Sequence, residues 1–272
     1  MSNLEREVKR MTSENIADVI CCPGGLEVRH TDFCCDISLA LRWRKEMLKY
    51  GMEGLILYQK GEPTGFIEYM PIENAPYPLK GVNLAVIMCF HWASQEDDDE
   101  HHQIESKLLE RAIKEMRNDF EGAAALAWDH PVHFPIKMFE DVGFSEVSSQ
   151  DYISLMWIPF DSTGKKPELL GPNFEPEDLS EEGELAVELG YSNRCPYSIN
   201  DHEKMKDAVR ELEDDRIVFR PHRIDTKEEA VEFSKHAWNW NWLFLNGEEI
   251  EHMRKSKEEL KEILKIELEK LD

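Results

Sequence analysis

Positive charge is scarce in this 272-residue chain: 32 lysines and arginines stand against 56 aspartates and glutamates, a formal net charge of -24. So acidic a surface repels phosphate, which argues against nucleic acid and anionic membrane as partners. Long apolar runs are missing as well. None reaches the roughly 20 residues that a bilayer-spanning helix needs. The opening stretch MSNLEREVKRMTSEN lacks the apolar segment of a secretory leader. A soluble cytoplasmic protein is expected. Cysteine is sparse too. The six are Cys21, Cys22, Cys34, Cys35, Cys89 and Cys195, and adjacent pairs suit a reducing compartment better than a disulfide framework. Zinc knuckles space their paired cysteines by two or more residues. Cys21, Cys22, Cys34 and Cys35 are therefore read as small buried hydrophobes, even with His30 nearby, and no metal is assigned.

Glycine is absent where it would carry the most information. CFHWASQEDDDEHHQIESKLLERAIKEM, from Cys89 to Met116, reads as the end of a buried strand, a run of acids with two histidines, and an amphipathic helix. At many strand-to-helix junctions backbone N–H groups hold a phosphate, and glycines let the backbone approach. Here Asp97, Asp98, Asp99 and Glu100 occupy that place. The run admits three readings: a solvated loop, acids placed favourably at a helix N-terminus, or a divalent-cation site using His101 and His102. Consecutive residues rarely all face one ion, so the third is the weakest.

What the chain does contain is ample apolar material, 41% of its residues, and a clear alternation of elements. Residues 161–183, DSTGKKPELLGPNFEPEDLSEEG, combine proline, glycine and acid without apolar periodicity and read as a linker. Before it, SENIADVICC is expected to open a helix capped by Ser13. ISLALRWRKEMLKYG is expected to be a second helix, ended by Gly51. Strands over 54–59 and 65–71 form a hairpin turning at Lys60-Gly61-Glu62-Pro63. VNLAVIMCFHWA is a central strand buried on both faces, and the helix over 103–117 follows. GAAALAWDH is a further strand, FPIKMFEDVGF a short helix stopped at Gly143, and YISLMWIPF a closing strand. After the linker come strand LAVELGYS, a helix with Pro196 in its first turn, strand RIVFRPHRI, a helix capped by Thr226 and Glu229, a hairpin at Asn246-Gly247, and a terminal helix.

This order over 1–160 resembles the GNAT acetyltransferase fold, and HFPIKMFEDVGFSEV is similar to that family's segment after its fifth strand. HTDFCCDIS, GFIEYMPIENA and VIMCFHWAS resemble the YoaP-like subgroup, whose members carry a thioredoxin-like domain after the acetyltransferase domain. YSNRCPYS and WLFLNGEEI resemble the glutaredoxin active-site turn and the hairpin after its cis-proline. The resemblance implies an α/β (α+β) architecture. A GNAT-like mixed sheet with flanking helices spans 1–160, and a small thioredoxin-like βαβαββα domain spans 184–272. It implies acetyl-CoA as cofactor, with Cys89, Phe90, His91, Trp92, Gln95 and Lys107 lining it, and a small-molecule or protein amine as acceptor. Proton transfer would fall to Glu68, His91 and Tyr152. Cys195, at a helix start beside Arg194, would be a reactive thiol with a lowered pKa and a possible thiol partner.

Three features depart from the pattern. The phosphate turn is the acid run, Asn241 stands at the cis-proline position, and Ser198 replaces a second cysteine, leaving at most monothiol chemistry. The functional reading is an acyl-CoA-dependent N-acetyltransferase with a degenerate phosphate loop. The alternative is a catalytically inactive scaffold serving as a thiol-dependent binding or sensing protein. His130 and His133 are read as hydrogen-bonded loop residues, and Trp238, Trp240 and Trp242 as core and interface packing.

Overall fold

A computed structural model describes residues 6–21, 37–92, 99–129, 134–238, 241–253 and 255–272. The first half is built on a seven-stranded sheet with the order β1-β2-β3-β5-β6-β8-β7. Its strands are β1 (Arg6–Arg10), β2 (Glu53–Gln59), β3 (Glu62–Pro71), β5 (Leu84–Trp92), β6 (Gly122–Trp128), β7 (Ser145–Gln150) and β8 (Ile153–Pro159). Only β5 and β6 run parallel; every other neighbour pair is antiparallel. The continuous apolar run expected at the centre is β5, fourth in the order. Helix α1 (Ser38–Met47) precedes β2, α2 (Asp99–Met116) joins β5 to β6, and α3 (Ile136–Asp141) precedes β7.

Local sequence accounts for most of these boundaries. The β2–β3 hairpin closes on Lys60 and Gly61, both left-handed at φ 54° and 86°, a two-residue turn whose twist matches paired strands. The expected four-residue turn is thus tighter, and β3 starts earlier than residue 65. Gly143, at φ 98°, stops α3 as expected. The segment from Ser13 differs. It forms only a short 3-10 turn, Ile16–Cys21, preceded by a local turn in which Asn15 Oδ1 accepts the Thr12 N–H at 2.7 Å.

Two apolar layers cover the sheet. On one face α2 and α3 bring Leu109, Ala112, Met116 and Phe139 against Ile67, Ile87, Ala125 and Met156. On the other face the cluster of Trp43, Met52, Phe66, Met70, Tyr77 and Met88 continues without a break into Ile224, Ala230, Ala237 and Trp242 of the second half. The second half contains β10 (Leu185–Tyr191), α4 (Pro196–Leu212), β11 (Ile217–Arg223), α5 (Lys227–Glu232), β12 (Trp242–Leu245), β13 (Glu248–Glu249) and α6 (Lys257–Glu269), with sheet order β11-β10-β12-β13. Thr226 with Glu229 forms the expected capping box, and Ser256 with Glu259 forms a second one on α6. Asn246 and Gly247 make the expected tight turn at φ 42° and 80°.

Residues 161–183 carry no long element, yet they are tied down. Strand β4 (Leu79–Lys80) pairs with β9 (Glu168–Leu169), the Leu170 N–H donates to the Pro78 carbonyl at 2.7 Å, and Phe174 stacks on Trp242 at 5.0 Å. The halves are also joined directly. Trp43 Nε1 donates to the Asp225 carbonyl at 3.0 Å. Lys227 Nζ donates to the carbonyls of Ile72, Tyr77 and Leu79. Among the described residues no helix is long and apolar enough to cross a membrane.

Candidate functional site

The two parallel central strands part company half-way along. Leu84–Ile87 of β5 register with Gly122–Ala125 of β6, and there the pairing ends, although β5 continues to Trp92 and β6 to Trp128. The parting coincides with an irregularity on the other side of β5. Tyr69 faces Ile87 but Glu68 faces Cys89, so Met88 is the extra residue of a bulge. A bulge reverses which residues point to which face. Before it Val86 and Met88 belong to the layer shared with the second half; after it Phe90 belongs to the α2 layer. Cys89 and His91 thereby join Glu68 and Phe66 on one face. The Met88 carbonyl accepts the Tyr77 hydroxyl at 3.0 Å.

A buried polar group sits against this bulge. Glu68 is 2% exposed and Arg44 4%. Their carboxylate and guanidinium pair through Nε and again through Nη2 at 3.3 Å. Arg44 Nη1 reaches across to the second half, donating to the Arg194 carbonyl at 2.8 Å. The Arg194 side chain returns the connection: its Nη2 donates to Tyr77 Oη at 2.6 Å, and its guanidinium lies 4.6 Å from the Tyr77 ring centre. Beside these ions stands an aromatic wall. Phe90 stacks on Phe134 at 4.4 Å, and Trp238 of the second half meets Trp128 at 5.3 Å, Phe134 at 5.9 Å and Tyr77 at 5.9 Å.

Of the residues nominated from sequence, Glu68, Cys89, His91 and Cys195 share this region. Phe90 points to the opposite face and packs on Phe134 and Phe139. Tyr152 is 59% exposed in the β7–β8 turn, where its ring lies 5.3 Å from that of Trp128. Lys107 is exposed on α2. Two other bases of that region are engaged, Arg111 with Glu115 and Lys137 with Asp141. Gln95 and acids 96–98, with His130 and His133, lie outside the described residues, as do Cys22, His30, Cys34 and Cys35; the side chains of Cys21, Trp92 and 99–105 do too.

One sequence expectation is reversed. The Cys195 thiol was expected to ionise readily. Burial instead pushes its pKa up, and this outweighs the N–H groups of Ser198 and Tyr197, which favour the thiolate, and the charges of Arg194 and Arg44. The turn before α4 is covered by the first half, which sequence proximity to Arg194 could not reveal. Burial likewise raises the Cys89 thiol, with the Glu68 charge acting in the same direction.

Sequence reading missed Arg44, Tyr77 and the bridging role of Arg194. Arg44 did leave a signal. The buried positions of α1 are Ala40, Trp43, Arg44 and Met47, the i, i+3, i+4, i+7 spacing of an apolar stripe, and a guanidinium in such a stripe demands a buried anion. Tyr77 lies in an irregular loop and gave no comparable sign.

No protein-family profile matches the chain. It is similar to an N-acetyltransferase. The uncharacterized N-acetyltransferase YoaP of Bacillus subtilis (strain 168) is 25% identical over 241 residues, covering 83% of this chain and 90% of the relative. An alignment that long extends into both halves. Among solved structures, the putative acetyltransferase yncA of Salmonella typhimurium with acetyl-CoA aligns at 15% identity over 58% of this chain and 95% of its own, with TM-score 0.42. The paia N-acetyltransferase of Thermoplasma acidophilum in complex with coenzyme A aligns at 12% identity over 57% and 99%, with TM-score 0.42.

Proposed function

We propose that the chain is an N-acetyltransferase of the GNAT type that takes its acetyl group from acetyl-CoA and passes it to an amine. The observation that carries this reading is the parting of β5 from β6 at the Met88 bulge. Beyond Ile87 the edge of β5 that faces β6 has no ladder partner among the described residues, so the backbone of Cys89 to Trp92 could pair with an amide-bearing arm much as a strand edge pairs with a peptide. The pantetheine part of the coenzyme, with two amides, has that chemistry. When bound, its thioester supplies the activated acetyl group.

The amine would approach from the face that carries Glu68 and His91; half-buried His91 would accept its proton, and Glu68, buried against Arg44, would supply negative charge behind it. Glu68 is held in one orientation by Arg44. The pyrophosphate part fits less well. The acids at 96–100 oppose it, and the α2 dipole offers only about half a positive charge at its start.

The division into a domain over 1–160, a connecting segment over 161–183 and a thioredoxin-like domain over 184–272 belongs to the same proposal. It is supported by the strand order β11-β10-β12-β13 and by Cys195 at the start of α4. The Asn241 N–H donates to the Gly190 carbonyl at 2.9 Å, a bond that proline could not make. The second domain is therefore read as a modified one.

Titration calorimetry with acetyl-CoA tests the reading, repeated on a variant with Asp97→Gly, Asp98→Gly and Asp99→Gly. Binding by the parent at micromolar level, with acetyl transfer to an amine panel followed by release of free thiol, supports the enzyme. Binding that appears only in the glycine variant favours the inactive scaffold, for which the acid run is the specific observation.

A further inference from the structure

The opening between β5 and β6 is not left bare. Past the last paired residues, Ile87 and Ala125, Phe134 reaches across it. Its carbonyl accepts the Trp128 N–H of β6 at 2.9 Å, and its ring stacks on Phe90 of β5 at 4.4 Å. Its backbone is left-handed there, φ 49°, a conformation that a bulky side chain rarely holds. Trp238 then enters from the second half. Its ring meets Trp128 and Phe134 edge to face, and it also meets Tyr77 and, at 5.8 Å, the Arg194 guanidinium. Among the described residues it is the only hydrophobic side chain of the second half that packs against the α2 layer, and it packs against the shared layer as well. A sheet keeps its two layers apart. A ring that touches both must lie where the strands no longer pair, and Trp128 and Phe134 are both past that point. The opening that the pantetheine arm would use is thus occupied by Trp238.

The segment that carries Trp238 is firmly rooted but loosely tied. At its root the Ser234 carbonyl accepts the N–H groups of Asn173 and Phe174 at 2.8 and 3.1 Å, and Ser234 is buried. Towards the first half, Gln150 Nε2 donates to the Lys235 carbonyl at 3.4 Å, and His236 Nδ1 stands 3.6 Å from the exposed Asp151 carboxylate. Contacts this long, one of them to an exposed charge, hold little. We propose that Trp238 is a gate. The second half keeps the opening shut in the free protein, and the acetyl-bearing arm of the coenzyme displaces the ring when it pairs with Cys89 to Trp92. The second half then sets how readily the first half takes up the coenzyme, because apparent affinity falls with the fraction of molecules that stand open. The inference rests on the acetyl-CoA reading proposed above and names the part of the chain that regulates that site.

The test measures binding of acetyl-CoA and of S-acetylpantetheine, the arm without its nucleotide, by titration calorimetry on the full chain. Parent, Trp238→Phe and Trp238→Ala are compared. With about one molecule in ten standing open, Trp238→Ala should tighten both ligands about tenfold. Trp238→Phe, which keeps a ring in the opening, should change them much less. Amide hydrogen exchange on the parent gives a second reading that needs no variant. Saturating acetyl-CoA should speed exchange over 234–238 while slowing it in β5. Equal or weaker binding by Trp238→Ala, with the parent binding acetyl-CoA, overturns the gate and leaves the enzyme reading intact. Exchange over 234–238 that slows or stays the same with bound acetyl-CoA does likewise. Tightening of acetyl-CoA alone puts Trp238 over the nucleotide instead of the arm and overturns the gate as stated. If neither parent nor variant binds either ligand, the gate and the enzyme reading fall together.

Discussion

Replacing Arg44 by methionine should be among the most damaging single changes in the first half. The guanidinium is 4% exposed and its partner Glu68 is 2% exposed. Methionine would fill similar volume but leave the Glu68 carboxylate without a cation, and the Arg194 carbonyl would lose its donor. Removing one partner of a buried ion pair costs about 3–5 kcal/mol, most of it the penalty of an uncompensated charge. For a chain of this size that lowers the melting temperature by on the order of 10 °C. Arg44→Met together with Glu68→Leu should recover most of the loss, since apolar pairs often replace buried ion pairs at little cost. About 1 kcal/mol should stay lost at the Arg194 carbonyl. Urea unfolding followed by far-ultraviolet circular dichroism on the parent, both single variants and the double variant gives the cycle. A single Arg44→Met variant within about 1 kcal/mol of the parent, or a double variant no more stable than the single, would refute the account of this pair.

Other consequences follow from the join and from buried titrating groups. Lys227→Met removes three hydrogen bonds to first-half carbonyls. It should cost about 2–4 kcal/mol and shift tryptophan emission to the red as Trp43 and Trp238 gain water; an unchanged spectrum and midpoint would contradict it. Proteolysis within 161–183 should nick the chain without releasing its parts, because one apolar layer runs through both halves; separate elution of the pieces in native gel filtration would count against that. Burial lowers His252 to about 4. The folded state then stays neutral while the unfolded state protonates, so about 3 kcal/mol is lost as pH falls from 6.5 towards 4. Asp201, raised to about 6 chiefly by burial, works in the opposite direction: its folded carboxyl takes up a proton first, and falling pH through 6 stabilises. His252→Leu should therefore flatten acid loss, and Asp201→Asn should gain stability above pH 6 and steepen acid loss. Equal pH profiles for parent and variants would disprove both assignments.

The amino-acid sequence by itself settled what depends on short range. The tight turns at Lys60-Gly61 and Asn246-Gly247, the stop at Gly143, Pro196 in the first turn of α4 and the Thr226–Glu229 box are each written in a few residues, because left-handed φ, a missing N–H or a capping carboxylate acts locally. Apolar continuity also marked β5 as the central strand. Other features belonged to the tertiary structure alone. Which face Cys89 and His91 occupy is set by the Met88 bulge, and a bulge is a property of two strands in register. The acidity of Cys195 could be judged only once the first half covered it, since burial reverses what a helix start and a neighbouring arginine promise. Tyr77, Arg194 and Arg44 lie far apart along the chain and converge through long-range packing, where the requirement to satisfy every buried charge selects partners that no local pattern names.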